Sequence, residues 1–199
     1  MKLLALETTD RIASVALLMD GKVFNETIDS GHRHAETLLL AVERLLAGHG
    51  LEPRDMDAFA VDIGPGSFTG VRIGVTTANA FGFANDKPVI AVNSLEALAL
   101  PFVRDGGLCA AVIDARNGNG YAALYRGENC LIEPCACVLD EFLKELPEGC
   151  ILTGTAAEDG AMPRAESVAI IARRREGRSA VSPLYLRQAQ AERLWRERG

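Results

Sequence analysis

The 199-residue sequence contains no apolar run that approaches the roughly eighteen residues of a membrane-spanning helix. Near its start a single lysine precedes a short apolar run, and Glu7 and Asp10 interrupt that run before it reaches the length of a signal peptide. These absences predict a soluble, cytoplasmic protein with no membrane partner. The length suits one large domain or two small ones, each able to bury a core.

Residues that bind metals are few or poorly placed. The sequence has three histidines, all near the N-terminus, and five cysteines, all in the second half. Because the number of cysteines is odd and nothing indicates secretion, we predict that they are reduced packing residues rather than a disulfide framework. His32 and His34 are two residues apart, and such residues do not share a face of a helix.

The net charge of −6 is unevenly distributed. From Ala172 to the C-terminus there are eight arginines and three glutamates, a net charge of +5, so residues 1–171 carry −11. A basic segment on an acidic body can bind nucleic acid or an acidic partner. The alternative is a solvated helix face and a frayed end, since such ends are common without a ligand.

The segment GPGSFTGVRIG, from Gly64 to Gly74, has four glycines and one proline in eleven residues. It contains no lysine, which excludes a Walker phosphate loop. The dinucleotide-binding pattern needs a glycine at position 69, where the sequence has Thr69. Two interpretations remain: a tight turn whose following helix is capped by Ser67 or Thr69, and an anion site at the helix N-terminus.

Strand and turn signals alternate along the chain and predict an α/β fold. The predicted strands cover residues 3–8, 13–18, 22–28, 58–63, 88–91, 108–114 and 121–126, and the predicted helices cover residues 34–47, 69–85 and 94–103. The first three strands predict an antiparallel meander, and the last two predict a hairpin that begins a second α/β unit. We therefore divide the chain into domains at residues 1–105 and 106–199.

The two longest predicted helices have features of an association surface. In the helix at 34–47, apolar residues cover far more than one stripe. In the helix at 69–85, small residues recur every four positions and would let another backbone approach. The predicted interface residues are Leu38, Leu39, Val42, Leu45, Gly70, Gly74 and Ala78. The alternative is that both helices are internal, because a mixed α/β layer can enclose a helix.

The predicted element order is that of a half-domain of the actin, sugar kinase and Hsp70 superfamily, and GPGSFTGVRIG closely resembles the signature of the bacterial TsaB (YeaZ) family. Other segments resemble the same family: LLALETTDRIASVAL, RHAETLLL, AVNSLEALA, DARNGNGYAALY, LTG at 152–154 and SPLYLRQAQAE. The resemblance covers nearly the whole chain and is weak only from about Leu131 to Ala180. It implies an actin-like α/β fold of two subdomains, the second reduced.

The resemblance implies a non-catalytic scaffold subunit for making threonylcarbamoyladenosine in tRNA. The implied partners are a TsaD-like catalytic subunit, a TsaE-like ATPase and, through their complex, tRNA, with a homodimer when the chain is alone. The complex would transfer the threonylcarbamoyl group from threonylcarbamoyl-AMP to N6 of the tRNA adenosine next to the anticodon. The related TsaD family carries a metal-binding His-x-x-x-His pair where this sequence has Ser94 and Leu98. Neither is a suitable iron or zinc ligand, so we expect no metal and no catalytic residue.

The resemblance also bears on nucleotide binding, because in the superfamily a first hairpin contacts phosphate and a second-domain glycine pair contacts adenosine. The phosphate-facing candidates by this resemblance are Thr8, Thr9, Gly66 and Ser67. Glu7 stands where an aspartate is usual, and Ala156 stands where the family often has a glycine, so its Cβ would crowd a purine. We expect no resident cofactor, and any nucleotide binding to be weak or shared at the partner interface.

Two other functions stay open at this point. A metallopeptidase is disfavoured by the missing His-x-x-x-His pair, which His32 and His34 cannot replace on a helix. A small-molecule kinase of the same superfamily would need an aspartate base, for which Asp62 and Asp114 at strand ends are the candidates. Aspartates at strand ends more often support a turn or a cap.

Overall fold

The structure is a computed structural model that describes residues 1–29 and 34–186, with only the backbone of residues 34–36. Its strands are β1 Leu3–Glu7, β2 Ile12–Met19, β3 Lys22–Asp29, β4 Ala58–Asp62, β5 Val89–Val92, β6 Leu108–Asp114, β7 Asn119–Arg126, β8 Asn129–Val138 and β9 Ile151–Thr153. Its helices are α1 His34–Ala47, α2 Phe68–Asn85, α3 Ser94–Val103, α4 Leu139–Lys144 and α5 Ala165–Ala172, with a 3-10 turn at Pro53–Asp55.

Two sheets with matching strand order organise the chain. The first has the order β3-β2-β1-β4-β5 and the second the order β8-β7-β6-β9. In each sheet the first strand of an antiparallel meander also pairs with a parallel strand, β4 beside β1 and β9 beside β6. Among the described residues the second sheet has no counterpart of β5. This repeat confirms the predicted α/β fold of the actin, sugar kinase and Hsp70 type with a reduced second half.

The first sheet is covered on both of its faces. Leu4 and Leu6 of β1 pack in the core formed with α1 and α2, whereas Leu3 and Ala5 pack against α5. Successive side chains of a strand point to opposite faces. A strand buried on both faces must therefore be apolar throughout, which explains the sequence LLALE.

Helix α3 joins the two sheets. Ala97 packs in the core between the first sheet and α5, whereas Leu95 and Leu98 pack in a core with Ala111 of β6. The helix begins at a side-chain cap, since the Asn93 side chain accepts a hydrogen bond of 2.8 Å from the backbone N–H of Leu95. Within residues 1–29 and 34–186, no helix has the length and apolar character needed to cross a bilayer.

The chain returns to the first sheet after it has completed the second. Helix α5 packs across β1 and β2. Beyond it, the backbones of Val89 and Arg178 exchange hydrogen bonds of 2.7 and 2.8 Å. The Asn79 side chain likewise exchanges hydrogen bonds of 2.9 and 3.0 Å with the backbone of Val181. The domain division at residue 105 stays a prediction, and it does not include this return.

Candidate functional site

The glycine-rich segment packs directly against the end of β1. The backbone N–H of Ser67 donates to the carbonyl oxygen of Thr9 at 2.7 Å, and the Thr8 hydroxyl donates to the carbonyl oxygen of Gly70 at 2.7 Å. A Cβ on Gly66 would lie 2.6 Å from the carbonyl oxygen of Thr9, and one on Gly70 would overlap that of Thr8. The close approach of the two segments therefore requires these glycines.

The polar side chains at this contact form hydrogen bonds within the chain, although Ser67 is exposed. The Ser67 hydroxyl accepts a hydrogen bond of 3.3 Å from the backbone N–H of Gly70, so Ser67 rather than Thr69 caps α2. Thr8 and Thr9 are buried. The four phosphate-facing candidates thus lie at one contact between the two segments, where Thr8 and Thr9 are buried, Gly66 is half-buried and Ser67 is exposed. Their role toward phosphate stays a prediction that this packing does not favour.

Strands β1 and β4 each end in a buried carboxylate. Glu7 and Asp62 are both 0% exposed. They follow Leu6 and Val61, which are register partners in the parallel pairing of β1 with β4. Because side chains alternate along a strand, both carboxylates lie on the sheet face that carries α5. The two ends of neighbouring parallel strands thus bring two acids together in the interior.

In each carboxylate, only one of the two oxygens accepts hydrogen bonds. Glu7 Oε1 accepts hydrogen bonds from the backbone N–H and the hydroxyl of Thr9, at 2.5 and 2.7 Å. Asp62 Oδ1 accepts from the backbone N–H of Gly64 at 2.8 Å and from the Ser94 hydroxyl at 2.6 Å. Within the described part of the chain, Glu7 Oε2 and Asp62 Oδ2 are buried without a hydrogen-bond partner.

Burial changes the protonation of this pair. Burial and the charge of Asp62 raise the pKa of Glu7 well above its ordinary value, against the lowering effect of the hydrogen bonds from Thr9. Burial raises the pKa of Asp62 to about 7, against hydrogen bonds from Ser94 and Gly64. Two neighbouring buried carboxylates ionise together only at a large cost. The pair therefore retains a proton near neutral pH.

The two aspartates considered as kinase bases both accept hydrogen bonds within turns. Asp62 is buried and accepts from Gly64, two residues ahead. Asp114, at the equivalent end of β6, is exposed, and its Oδ1 accepts from the backbone N–H of Arg116 at 2.7 Å. Both geometries fit the turn-supporting role of an aspartate at a strand end.

The positions that correspond to the TsaD histidine pair are buried. Ser94 is 0% exposed and bonds Asp62, and Leu98 is 4% exposed and packs in the core between α3 and the second sheet. No group of three His, Cys, Asp or Glu side chains able to hold a metal occurs in the part of the chain that the structure describes. His32 and the side chain of His34 lie outside the described residues.

Hydrogen-bond donors of the loop after β9 are bound by the carboxylate of the loop's own Asp159. Asp159 accepts hydrogen bonds from the Thr153 hydroxyl at 2.6 Å and from the backbone N–H groups of Gly154 and Ala161, both at 3.1 Å. Burial raises the pKa of Asp159, but these hydrogen bonds outweigh it and the net shift is downward. Ala156 packs in the apolar core of the second sheet. A nucleotide at this loop would have to displace Asp159 from its donors.

The structure shows how far each predicted interface residue is exposed, and the interface itself stays a prediction. Leu38, Val42 and Leu45 are at most 8% exposed and form part of the core beneath α1. Gly70, Gly74 and Ala78 are also buried, because that ridge of α2 packs on the first sheet. Side chains that the chain's own sheet covers cannot add contact area for a partner. Of the seven predicted residues, only Leu39 is exposed.

An apolar outer surface nevertheless remains on α1 and α2. Leu39 and Leu40 of α1 are 55% and 52% exposed, and Phe83 of α2 is 90% exposed. The two helices lie in contact over the same face of the first sheet. We call Leu39, Leu40 and Phe83 the outer apolar surface. Whether it forms an interface stays a prediction.

Sequence reasoning considered Glu7 and Asp62 separately and missed the pair. A signal was present, because the apolar strands LLALE and AFAVD each end in an acid. The carboxyl ends of neighbouring parallel strands meet at the same edge of a sheet. If the parallel pairing of β1 with β4 had been predicted from the sequence, it would have placed the two acids next to each other.

Comparisons with known proteins assign this architecture to a family. The family model described as TsaD, tRNA N6-adenosine threonylcarbamoyltransferase, matches residues 25–193. A Bacillus subtilis protein named tRNA threonylcarbamoyladenosine biosynthesis protein TsaB is 32% identical over 228 residues, which cover 99% of each chain. The chain belongs to the TsaB (YeaZ) family.

Two further similarities agree with the TsaB family. The Escherichia coli protein of the same name is 38% identical over 132 residues, which cover 65% of this chain and 57% of that protein. The crystal structure of a Pseudomonas aeruginosa protein with similarity to peptidase YeaZ superposes with a TM-score of 0.81 at 30% identity, over 94% of this chain and 99% of that one. The predicted family and fold are confirmed.

Proposed function

We propose that this TsaB-family chain takes part in tRNA threonylcarbamoyladenosine biosynthesis as a non-catalytic scaffold subunit. The name of its full-length Bacillus subtilis relative supports the process. The observation that carries the non-catalytic role concerns Ser94 and Leu98, which stand where the TsaD family holds its metal. Both are buried and packed, and neither is a metal ligand.

The proposed partner is a TsaD-like catalytic subunit that transfers the threonylcarbamoyl group from threonylcarbamoyl-AMP to N6 of the tRNA adenosine. The match of the TsaD family model to residues 25–193 supports a partner of similar architecture. The outer apolar surface is the proposed contact, because exposed leucine and phenylalanine side chains gain free energy when they leave water. A TsaE-like ATPase joins the assembled complex, and the chain alone forms a homodimer through the same surface.

The proposed subunit holds no nucleotide by itself. Two observations support this part of the proposal. The hydroxyls of Thr8 and Thr9 are committed to Gly70 and Glu7. The donors after β9 are committed to Asp159. Nucleotide binding then needs the partner, and calorimetry with ATP and magnesium on the isolated chain should give no saturable heat.

A reconstitution assay tests the proposal. Unmodified tRNA and threonylcarbamoyl-AMP are incubated with the TsaD-like subunit, the TsaE-like ATPase and ATP, with and without this chain, and the modified adenosine is quantified by mass spectrometry. We expect product only when this chain and the TsaD-like subunit are both present. Product from this chain alone, or an unchanged yield when it is omitted, would contradict the proposal.

A matched pair of variants links the assay to the surface. Leu39→Glu places a charge on the outer apolar surface, where the native side chain is 55% exposed, and should abolish co-purification with the TsaD-like subunit. Glu43→Gln changes an exposed side chain on the same helix and should leave co-purification intact. Equal behaviour of the two variants would place the contact elsewhere.

A further inference from the structure

A cavity of about 610 Å³ lies at the edge of the first sheet opposite to Glu7 and Asp62. Its walls come from the C-terminal ends of α3 and α5 and from the β2–β3 and β7–β8 turns. Leu3, at the start of β1, pairs with Leu18 just before the first of these turns, which fixes the position of the cavity at the far edge. The volume lies within the range of roughly 300–1,000 Å³ that small-molecule sites occupy, often between domains.

The interior wall of the cavity is apolar and built from four elements. The side chains of this wall are Val23, Leu100, Val103, Tyr125 and Ile171. Tyr125 is only 7% exposed and so presents little surface to the cavity. Gly21 and Gly127 line the cavity as well, and neither has an atom within 4 Å of the place where a Cβ would stand. The space beside both glycines is therefore open.

Arginines surround the entrance. The lining contains Arg104, Arg173, Arg174 and Arg175, together with Glu96 and Glu128. Arg175 bonds both carboxylate oxygens of Glu96, at 2.5 and 2.7 Å, and Arg174 is paired with Glu128. These pairs tie the segment after α5 to α3 and to the β7–β8 turn. Arg104 and Arg173 have no carboxylate partner within residues 1–29 and 34–186.

The partial negative charges at the C-terminal ends of α3 and α5 do not cancel the positive charge of these arginines. Arg104 and Arg173 directly follow α3 and α5, where a cation offsets the negative helix end of about half a charge. Two such ends contribute about −1 in total. The four arginines and two glutamates of the lining contribute +2. The entrance is therefore still positive, on a body whose first 171 residues carry −11.

We infer that this cavity binds a small organic anion, a phosphate or carboxylate attached to an apolar body no larger than a fused pair of aromatic rings. The apolar wall removes the body from water, and the guanidinium groups of Arg104 and Arg173 bind the anion, for which planar paired donors are well suited. A free inorganic anion would leave the apolar wall wet, and a neutral apolar molecule would leave both arginines unused. The site is separate from the proposed scaffold function.

Nuclear magnetic resonance titration of the labelled full chain tests the inference, with 1-naphthyl phosphate as the probe and inorganic phosphate and 1-naphthol as its two halves. We expect 1-naphthyl phosphate to saturate below about 10 mM and to bind at least about tenfold more tightly than either half. The shifted amides should include those of Arg104, Gly127 and Arg173. No saturation, equal binding of 1-naphthol, or shifts confined to residues 8–9 and 66–67 would each overturn the inference.

Variants localise the effect. A double variant that combines Arg104→Gln and Arg173→Gln removes both unpaired cations and should weaken binding of 1-naphthyl phosphate about tenfold or more. Leu100→Trp enlarges a wall residue and should exclude the probe. Arg164→Gln alters an exposed arginine at the opposite end of α5 and should change affinity by less than about twofold. Unchanged affinity in the double variant, with folding verified by its amide spectrum, would also overturn the inference.

Discussion

The Thr8 hydroxyl donates a hydrogen bond of 2.7 Å to the carbonyl oxygen of Gly70, and the missing Cβ of Gly70 is what lets the two backbones approach. Gly70→Ala should therefore move α2 away from β1 and lower the free energy of unfolding by about 1–3 kcal/mol, as overpacking of a core does. Urea unfolding measures this. Thr76→Ala, at an exposed position of the same helix, should stay within about 0.5 kcal/mol of the native chain. Equal stability of the two variants would contradict the requirement for glycine.

The pair of Glu7 and Asp62 predicts a dependence of stability on pH. Burial raises the pKa of Asp62 from 3.8 to about 7 in the folded chain. Between these pH values the folded state binds more protons than the unfolded state, so the free energy of unfolding falls as the pH rises from about 4 to 7. The full loss is on the order of 4 kcal/mol. Urea unfolding between pH 5 and 8 should show this decline.

Asp62→Asn should remove much of that decline. The amide oxygen keeps the hydrogen bonds from Gly64 and Ser94, and the neutral amide removes the charge that raises the pKa of Glu7. We expect the variant to be more stable than the native chain at pH 8 and similar to it at pH 5. The control is Asp114→Asn, an exposed carboxylate at the equivalent strand end. If Asp62→Asn keeps the native pH profile, the pair does not hold the proton.

The outer apolar surface and the core beneath it should respond differently to charge. Leu45→Glu buries a carboxylate where the native side chain is 8% exposed, and it should lower the melting temperature sharply. Leu39→Glu, at 55% exposure, should keep the native melting temperature and convert the homodimer proposed for the isolated chain to a monomer. Light scattering after size-exclusion chromatography measures the mass. A Leu39→Glu dimer of native mass would show that self-association uses another surface.

The arginine-rich segment from Arg187 onward lies outside the described residues, and we predict that it contacts tRNA phosphates in the assembled complex, which the salt dependence of binding tests. Replacing Arg193, Arg196 and Arg198 by glutamine should weaken tRNA binding by the assembled complex and flatten the plot of log affinity against log salt by about one unit per lost phosphate contact. Arg54→Gln, an arginine of the acidic body already paired with Glu52, should leave the slope unchanged. If the triple variant keeps the salt dependence of the native complex, the segment is a solvated chain end that does not contact tRNA.

Much of the fold could be predicted from local pattern. The predicted helix at 34–47 matches α1, and the predicted strand at 58–63 exceeds β4 by one residue. Helix α5 was not predicted as an element, because six of its eight residues are buried and the sequence AESVAIIA shows no polar stripe. The resemblance to known sequences is also weak in that region.

The exposure of the predicted interface residues depends on tertiary packing rather than on local pattern. The sequence shows that apolar residues cover a wide part of the surface of α1. It does not determine which of these residues the sheet covers. The structure assigns Leu38, Val42 and Leu45 to the sheet and leaves Leu39 and Leu40 outside. The same applies to Glu7 and Asp62, whose proximity depends on the pairing of strands more than fifty residues apart.

The return of the chain to its first sheet has a consequence for biosynthesis. Leu3 and Ala5 leave the ribosome well before α5, yet Val168 and Ala169 of α5 cover them only after the whole second sheet has been translated. Until then one face of the first sheet stays in contact with water. Co-translational folding of the N-terminal half is therefore incomplete, and the nascent chain exposes an apolar surface that chaperones can bind. Premature termination before α5 would release a product that proteases recognise as unfolded.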